Sequence, residues 1–200
     1  MAMTQQAEKP EYLGLLNAIS LGESNAGKYL GAWADVTPDD DLACTLRLVA
    51  ARETSHGEVF CRRIAELGFE LQPKKDAAAA ERLAKFADPR ISDLEKIGPE
   101  REAKEVKDFF GEIKTAIAAG AYDAMTCNLL EWYIAEEEDS GRRLRDAYAA
   151  VRDKAAGRRP KATAAASNGV SGDADAIMAC MTQGFGRLEK SIEKLVKVMK

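Results

Sequence analysis

The chain has 200 residues, a net charge of −4 at neutral pH and a sequence pI near 5.3, a balance that gives no footing for a nucleic-acid partner. No apolar run approaches the roughly 18 residues that a membrane span requires, and the N-terminal MAMTQQAEKPEY has neither the basic nor the apolar region of a signal peptide. Cys44, Cys61, Cys127 and Cys180 form no Cys-x-x-Cys pair, which argues against a zinc ribbon or rubredoxin-type site and for reduced thiols in a cytoplasmic protein.

Alanine- and charge-rich composition with few β-branched runs predicts an all-α protein. The first helix is expected from about Glu11 to Ala34, entered through Pro10 near its first turn. Its inward stripe reads Leu13, Leu16, Ser20, Glu23, Gly27, Leu30, Ala34, with one acid, Glu23, standing where an apolar residue belongs. Thr37-Pro38-Asp39-Asp40-Asp41 reads as a cap, a first-turn proline and acids for the positive end of a second helix, which runs to about Leu67 and stops at Gly68. Leu46, Val49, Phe60, Ile64 and Leu67 mark its apolar stripe, and Glu53 and His56 fill the middle of it. Charged side chains are rarely buried without a partner, so this carboxylate and this imidazole, the only histidine in the chain, ask for a compensating charge.

Residues 69–98 contain Pro73, Pro89 and Gly98 with room for one short helix around KDAAAAERLAKFA. A connection of this length is unusual in a compact domain, and it is ample to run back along the second helix. A third helix is expected from near Pro99 to Ala119, and a fourth from about Asp123 to Ala155 after a turn at Gly120. The inward set of the fourth reads Cys127, Leu130, Ile134, Glu138, Gly141, Leu144, Tyr148, Val151, flanked by Glu131 and Glu137. These helices make a bundle over residues 1–156. Residues 157–172 are small, polar and turn-forming, which predicts a flexible linker. Residues 173–200 predict an amphipathic helix, with Met181, Phe185, Leu188, Ile192, Leu195 and Met199 in a coiled-coil-like seam.

Four long helices, a crossover between the second and third, and inward acids at mid-helix resemble the ferritin-like superfamily in its rubrerythrin and ferritin branches, over roughly residues 10–155. In that family the helices supply in turn a Glu, a Glu-x-x-His, a Glu, and a Glu-x-x-His or a weaker variant. Glu23 and the pair Glu53/His56 within AARETSHGEVFCRRIAELG match the first two. AEEEDSGRRL resembles the last, with Glu138 in place and Gly141 where a second histidine would stand. The third-helix acid lies among Glu102, Glu105, Asp108 and Glu112. Symmetry about a turn near Ala121 selects Glu105 as the one level with Glu138, with Glu102 next.

The resemblance implies a metal set of Glu23, Glu53, His56, Glu105 and Glu138, with Glu53 as bridge, Glu23 and His56 on one metal and Glu105 and Glu138 on the other. It implies two irons per chain, or manganese, donors of this kind suiting either. The expected activity is that of a ferroxidase or peroxidase-type oxidoreductase, oxidising Fe(II) or reducing O2 or peroxide in a homo-oligomer. The other expectation is a helical interaction protein that kept the bundle, lost the metal and acts through its C-terminal helix. Gly141 favours it to the extent that it weakens the second metal.

Overall fold

The structure is a computed structural model and describes residues 9–74, 76–98 and 109–158. Within them the chain is all-helical: α1 (Leu13–Ala34), α2 (Asp40–Glu66), α3 (Ala79–Ala87), α4 (Asp93–Ile97), α5 (Phe109–Ala118) and α6 (Ala124–Ala155). No helix among the described residues is long and apolar enough to cross a membrane. The predicted linker beyond Arg158 and the predicted C-terminal helix lie outside the described residues.

Local chemistry fixes the long elements. The Asp39 side chain accepts from the Asp41 and Leu42 backbone N–H groups and so caps α2, leaving Pro38 just before the cap rather than in the first turn. Asp123 caps α6 in the same way through Met125 and Thr126. Gly68 follows α2 at φ +85° and Gly120 follows α5 at φ +71°, the left-handed conformation that glycine adopts without strain.

Partner residues give the helix directions. Ser20 meets Gly57, and Arg47 reaches the Ala34 carbonyl, so α1 and α2 are antiparallel. Tyr12 bonds Asp123, Tyr133 bonds Glu23 and Trp33 stacks on Tyr148, so α6 runs parallel to α1. Arg63 pairs with Asp123 and Lys154 with Asp39, which makes α6 antiparallel to α2.

The connection after α2 does travel back along the bundle. Gln72 bonds Asn17, Phe86 lies against Tyr29 and Trp33, and Asp93 accepts from Trp33 Nε1 at 2.7 Å and Thr37 Oγ1 at 2.6 Å. It holds two helices, α3 and α4, where the sequence suggested one. Ser92 is the reason, because its hydroxyl caps a second short helix at Glu95 N–H.

Two apolar clusters result. One gathers Leu16, Ile19, Phe60, Ile64, Phe110, Leu130 and Tyr133 near the Asp123 end. The other gathers Leu30, Trp33, Leu46, Val49, Phe86, Leu144 and Tyr148 near the α1–α2 loop. Between them is a layer of buried polar side chains.

Candidate metal centre

That layer is built by three helices. The 3.6-residue period carries the α1 stripe from Ile19 through Glu23 to Leu30 and the α2 stripe from Val49 through Glu53 and His56 to Phe60, all buried. α6 brings Glu137 inward on the face that buries Leu130, Tyr133, Ser140 and Leu144. Glu23, His56 and Glu137 are 0% exposed and Glu53 is 2% exposed.

Small residues let α1 and α2 approach closely enough for this. The Ser20 hydroxyl donates to the Gly57 carbonyl at 2.7 Å. A Cβ on Gly57 would stand 3.0 Å from the Ser24 backbone nitrogen and 3.1 Å from the Ser20 carbonyl, and one on Gly27 would stand 3.0 Å from the Ala50 carbonyl. Bare glycine faces therefore set the separation at which carboxylates from the two helices meet.

The hydrogen bonds on the cluster are one-sided. Tyr133 donates its hydroxyl to Glu23 Oε1 at 2.8 Å. His56 Nε2 lies 2.9 Å from Glu136 Oε2, and a carboxylate there accepts, so Nε2 carries the proton. Nδ1 then faces the cluster, 3.1 Å from Glu137 Oε1 and 3.7 Å from Glu23 Oε2, without hydrogen-bond geometry to either. Glu23 Oε2, Glu53 Oε2, His56 Nδ1 and both Glu137 carboxyl oxygens are buried with no hydrogen-bond partner. One donor atom from each of the four residues lies within 4.8 Å of the others.

The electrostatics follow from this crowding. Burial, with the Glu137 charge beside it, pushes the Glu23 carboxyl up to about 8. Burial and the neighbouring Glu23 and Glu137 also push Glu53 well above the ordinary carboxylate range. Burial alone would lower the His56 imidazole, but Glu137, Glu136 and Glu53 hold it above its usual value. Among the described residues no lysine or arginine pairs with Glu23, Glu53 or Glu137. Protons can neutralise such a group, and so can a cation. Three carboxylates and an imidazole nitrogen, with a second carboxylate orienting the ring from behind, make a donor set that fits a divalent first-row metal.

No family model, curated protein or solved structure matches the chain.

Of the residues expected from sequence, Glu23, Glu53 and His56 come together and Glu138 does not. Glu138 points outward, with its side chain 55% exposed and bonded to Lys114 at 2.7 Å. Its neighbour Glu137 takes the inward place. The reason is helical phase: Tyr133, fully buried, sets the stripe at Leu130, Tyr133, Glu137, Ser140, Leu144. A four-residue step from Ile134 to Glu138 had assumed the other phase. The same correction moves the second-histidine position from Gly141 to Ser140, three residues after Glu137. Glu105, Glu102 and Asp108 lie outside the described residues. Glu112 is half-buried on α5. Glu136 and Tyr133 were missed as site residues. A carboxylate adjacent to an inward acid and a phenol one turn before it were the only sequence signals for them.

Proposed function

We propose that the bundle is a ferritin-like metal protein whose buried centre holds iron through Glu23, Glu53, His56 and Glu137 and serves oxidation of Fe(II) or reduction of O2 or peroxide. The observation that carries this reading is the set of buried donor atoms left without partners, at least one on each of the four side chains. Leaving a buried polar atom unsatisfied costs about 1–3 kcal/mol, and more for a charged one, so a ligand for these atoms offsets several such penalties together. The helix directions, with α2 antiparallel to α1 and α6 and a connection returning along the bundle, support the ferritin-like part.

Iron bound there would supply one-electron exchange with oxygen or peroxide. The chain's own residues supply the rest. Glu136 holds His56 through Nε2 and so keeps Nδ1 turned inward. Tyr133 fixes one oxygen of Glu23 and leaves the other free. The two apolar clusters exclude bulk water from above and below.

Anaerobic Fe(II) loading followed by elemental analysis tests the ligand set. Wild type is expected to retain iron through gel filtration, Glu137→Gln to lose most of it, and Glu138→Gln to match wild type. Equal retention by Glu137→Gln, or none by wild type, would overturn the assignment. Oxygen consumption by the loaded protein then tests the activity, with His56→Ala expected to react no faster than free Fe(II).

A further inference from the structure

We propose that Trp132 and Glu136 form the entrance to the centre, with Glu136 receiving the cation at the surface and the Trp132 indole acting as the door beside His56. The proposal rests on the metal reading above and concerns how a cation reaches donors that are themselves only 0% or 2% exposed.

The α1–α2 side of the centre is shut by backbone. Gly27 and Gly57 bring these helices so close that a Cβ on either would meet backbone atoms of the other at 3.0 and 3.1 Å. An ion passes such a seam only if the helices separate. The α2–α6 side is built differently. Arg63 joins Thr126 at 3.1 Å and Asp123 at 2.7 Å near one end of it, and Arg52 joins Ser140 at 3.2 Å and Asp139 at 2.8 Å further along. Between these two crossings the seam is spanned by His56 from α2 and by Trp132 and Glu136 from α6.

Both α6 residues reach solvent and both touch the imidazole. Trp132 is 38% exposed, and its ring lies 4.9 Å from that of His56, edge to face. The Glu136 side chain is 31% exposed, with Oε2 2.9 Å from His56 Nε2. They cover the outer side of a ring whose Nδ1 faces Glu137 and Glu23. A carboxylate at the rim attracts a cation and replaces part of its water, before the inner carboxylates take it over.

Tyr133 also meets His56 edge to face, at 5.2 Å, but it is 0% exposed and held by Phe60, Phe110 and its bond to Glu23. Of these two aromatic neighbours Trp132 is the one with solvent beside it, and exposed side chains change rotamer far more readily than packed ones. With the indole swung outward, His56 has space to turn and an ion held by Glu136 can pass inward.

Two quantities measured on the full-length chain loaded anaerobically with Fe(II) test this: Kd by equilibrium dialysis, and the release rate by chase with excess coloured Fe(II) chelator. A door sets the barrier and not the depth of the site. Trp132→Ala is therefore expected to speed release several-fold with Kd unchanged, so that the on-rate rises by the same factor. Trp132→Phe, which keeps an aromatic ring, should do the same to a smaller degree. Glu136→Gln keeps an oxygen to hold His56 and loses the charge, so its on-rate, the release rate divided by Kd, should fall by about tenfold at low ionic strength. Circular dichroism checks that each variant is folded. Release unchanged in both Trp132 variants would overturn the door. A Kd that rises in step with the release rate would overturn it too, leaving Trp132 as packing that steadies His56. An unchanged on-rate in Glu136→Gln would overturn the receiving role. If wild type itself retains no iron, the metal reading fails and this inference with it.

Discussion

Glu137 and Asp139 sit two residues apart on α6 and meet opposite surroundings. Asp139, on the outer side, is bonded by Arg52 at 2.8 Å, by Arg143 at 2.6 Å and by Arg142. Burial alone would raise its carboxyl, but hydrogen bonds from Arg143, Arg52 and Arg142 hold it well below the usual range. Glu137, on the inner side, faces two other carboxylates and one imidazole with neither of its oxygens bonded. Asp139 shows what a structural acid looks like here: its charge is neutralised by side chains already in the chain. Among the described residues the inner acids meet one imidazole, His56, and no lysine or arginine, although arginines stand within two turns of the same helix. A partner that comes from outside the chain, whether proton or metal, is what distinguishes the two.

The strongest way to break that contrast is pH. Glu23 has its carboxyl raised to about 8 in the fold against an ordinary value of 4.5, and Glu53 is raised as well. A raised carboxyl stabilises the fold fully below its unfolded value and loses that contribution as pH climbs through the folded one. Metal-stripped protein is therefore expected to melt lower as pH rises from 5 to 8.5, by on the order of 5–10 °C. Saturating Mn(II) should reverse the slope over the same window. Calorimetric scans with and without the cation measure both; a flat profile for the stripped protein would mean that the inner acids are not proton-held.

Gly57→Ala comes next in size. The added Cβ meets the Ser24 backbone nitrogen at 3.0 Å and the Ser20 carbonyl at 3.1 Å, atoms that move only with the helix. Overpacking of this kind costs about 1–3 kcal/mol. By widening the α1–α2 spacing it should also weaken cation binding, while leaving the Asp139 array intact. Urea unfolding and Mn(II) titration of the same variant read the two effects separately.

Asp139→Asn tests the other half of the contrast. Partly exposed ion pairs contribute about 0–1 kcal/mol each, so a loss near 1 kcal/mol is expected in urea unfolding, with Mn(II) affinity unchanged. Glu138→Gln should have the smallest effect of all, within about 0.5 kcal/mol, because the Glu138–Lys114 bond lies between two half-exposed side chains.

The all-helical architecture was legible because long apolar stripes at helical period leave few alternatives. The stripes of the first two helices were read with the correct phase, and Glu23, Glu53 and His56 came with them, each a polar residue interrupting an otherwise apolar series. α6 was harder. It is long enough for a three-step and a four-step reading to diverge, and the run Glu136-Glu137-Glu138 offers an acid to either one. Tyr133 decides between them, but only because its ring is wedged against Phe60, Phe110 and His56, and those contacts depend on tertiary structure. The Arg52–Ser140 bond joins residues 88 positions apart and had no local signature.

The polar layer also divides the interior into two hydrophobic halves that touch chiefly through it. Amide hydrogen exchange reports such partitioning, since cooperative units open separately when little apolar contact joins them. In the metal-stripped protein the half around Trp33 and Tyr148 and the half around Phe60 and Tyr133 meet across the layer through Glu23, Glu53, His56 and Glu137. A cation held by α1, α2 and α6 at that level ties residue 23 to residue 137 and couples the opening of one half to the opening of the other. Its occupancy would then set how many independent folding units the chain has, apart from any chemistry it performs.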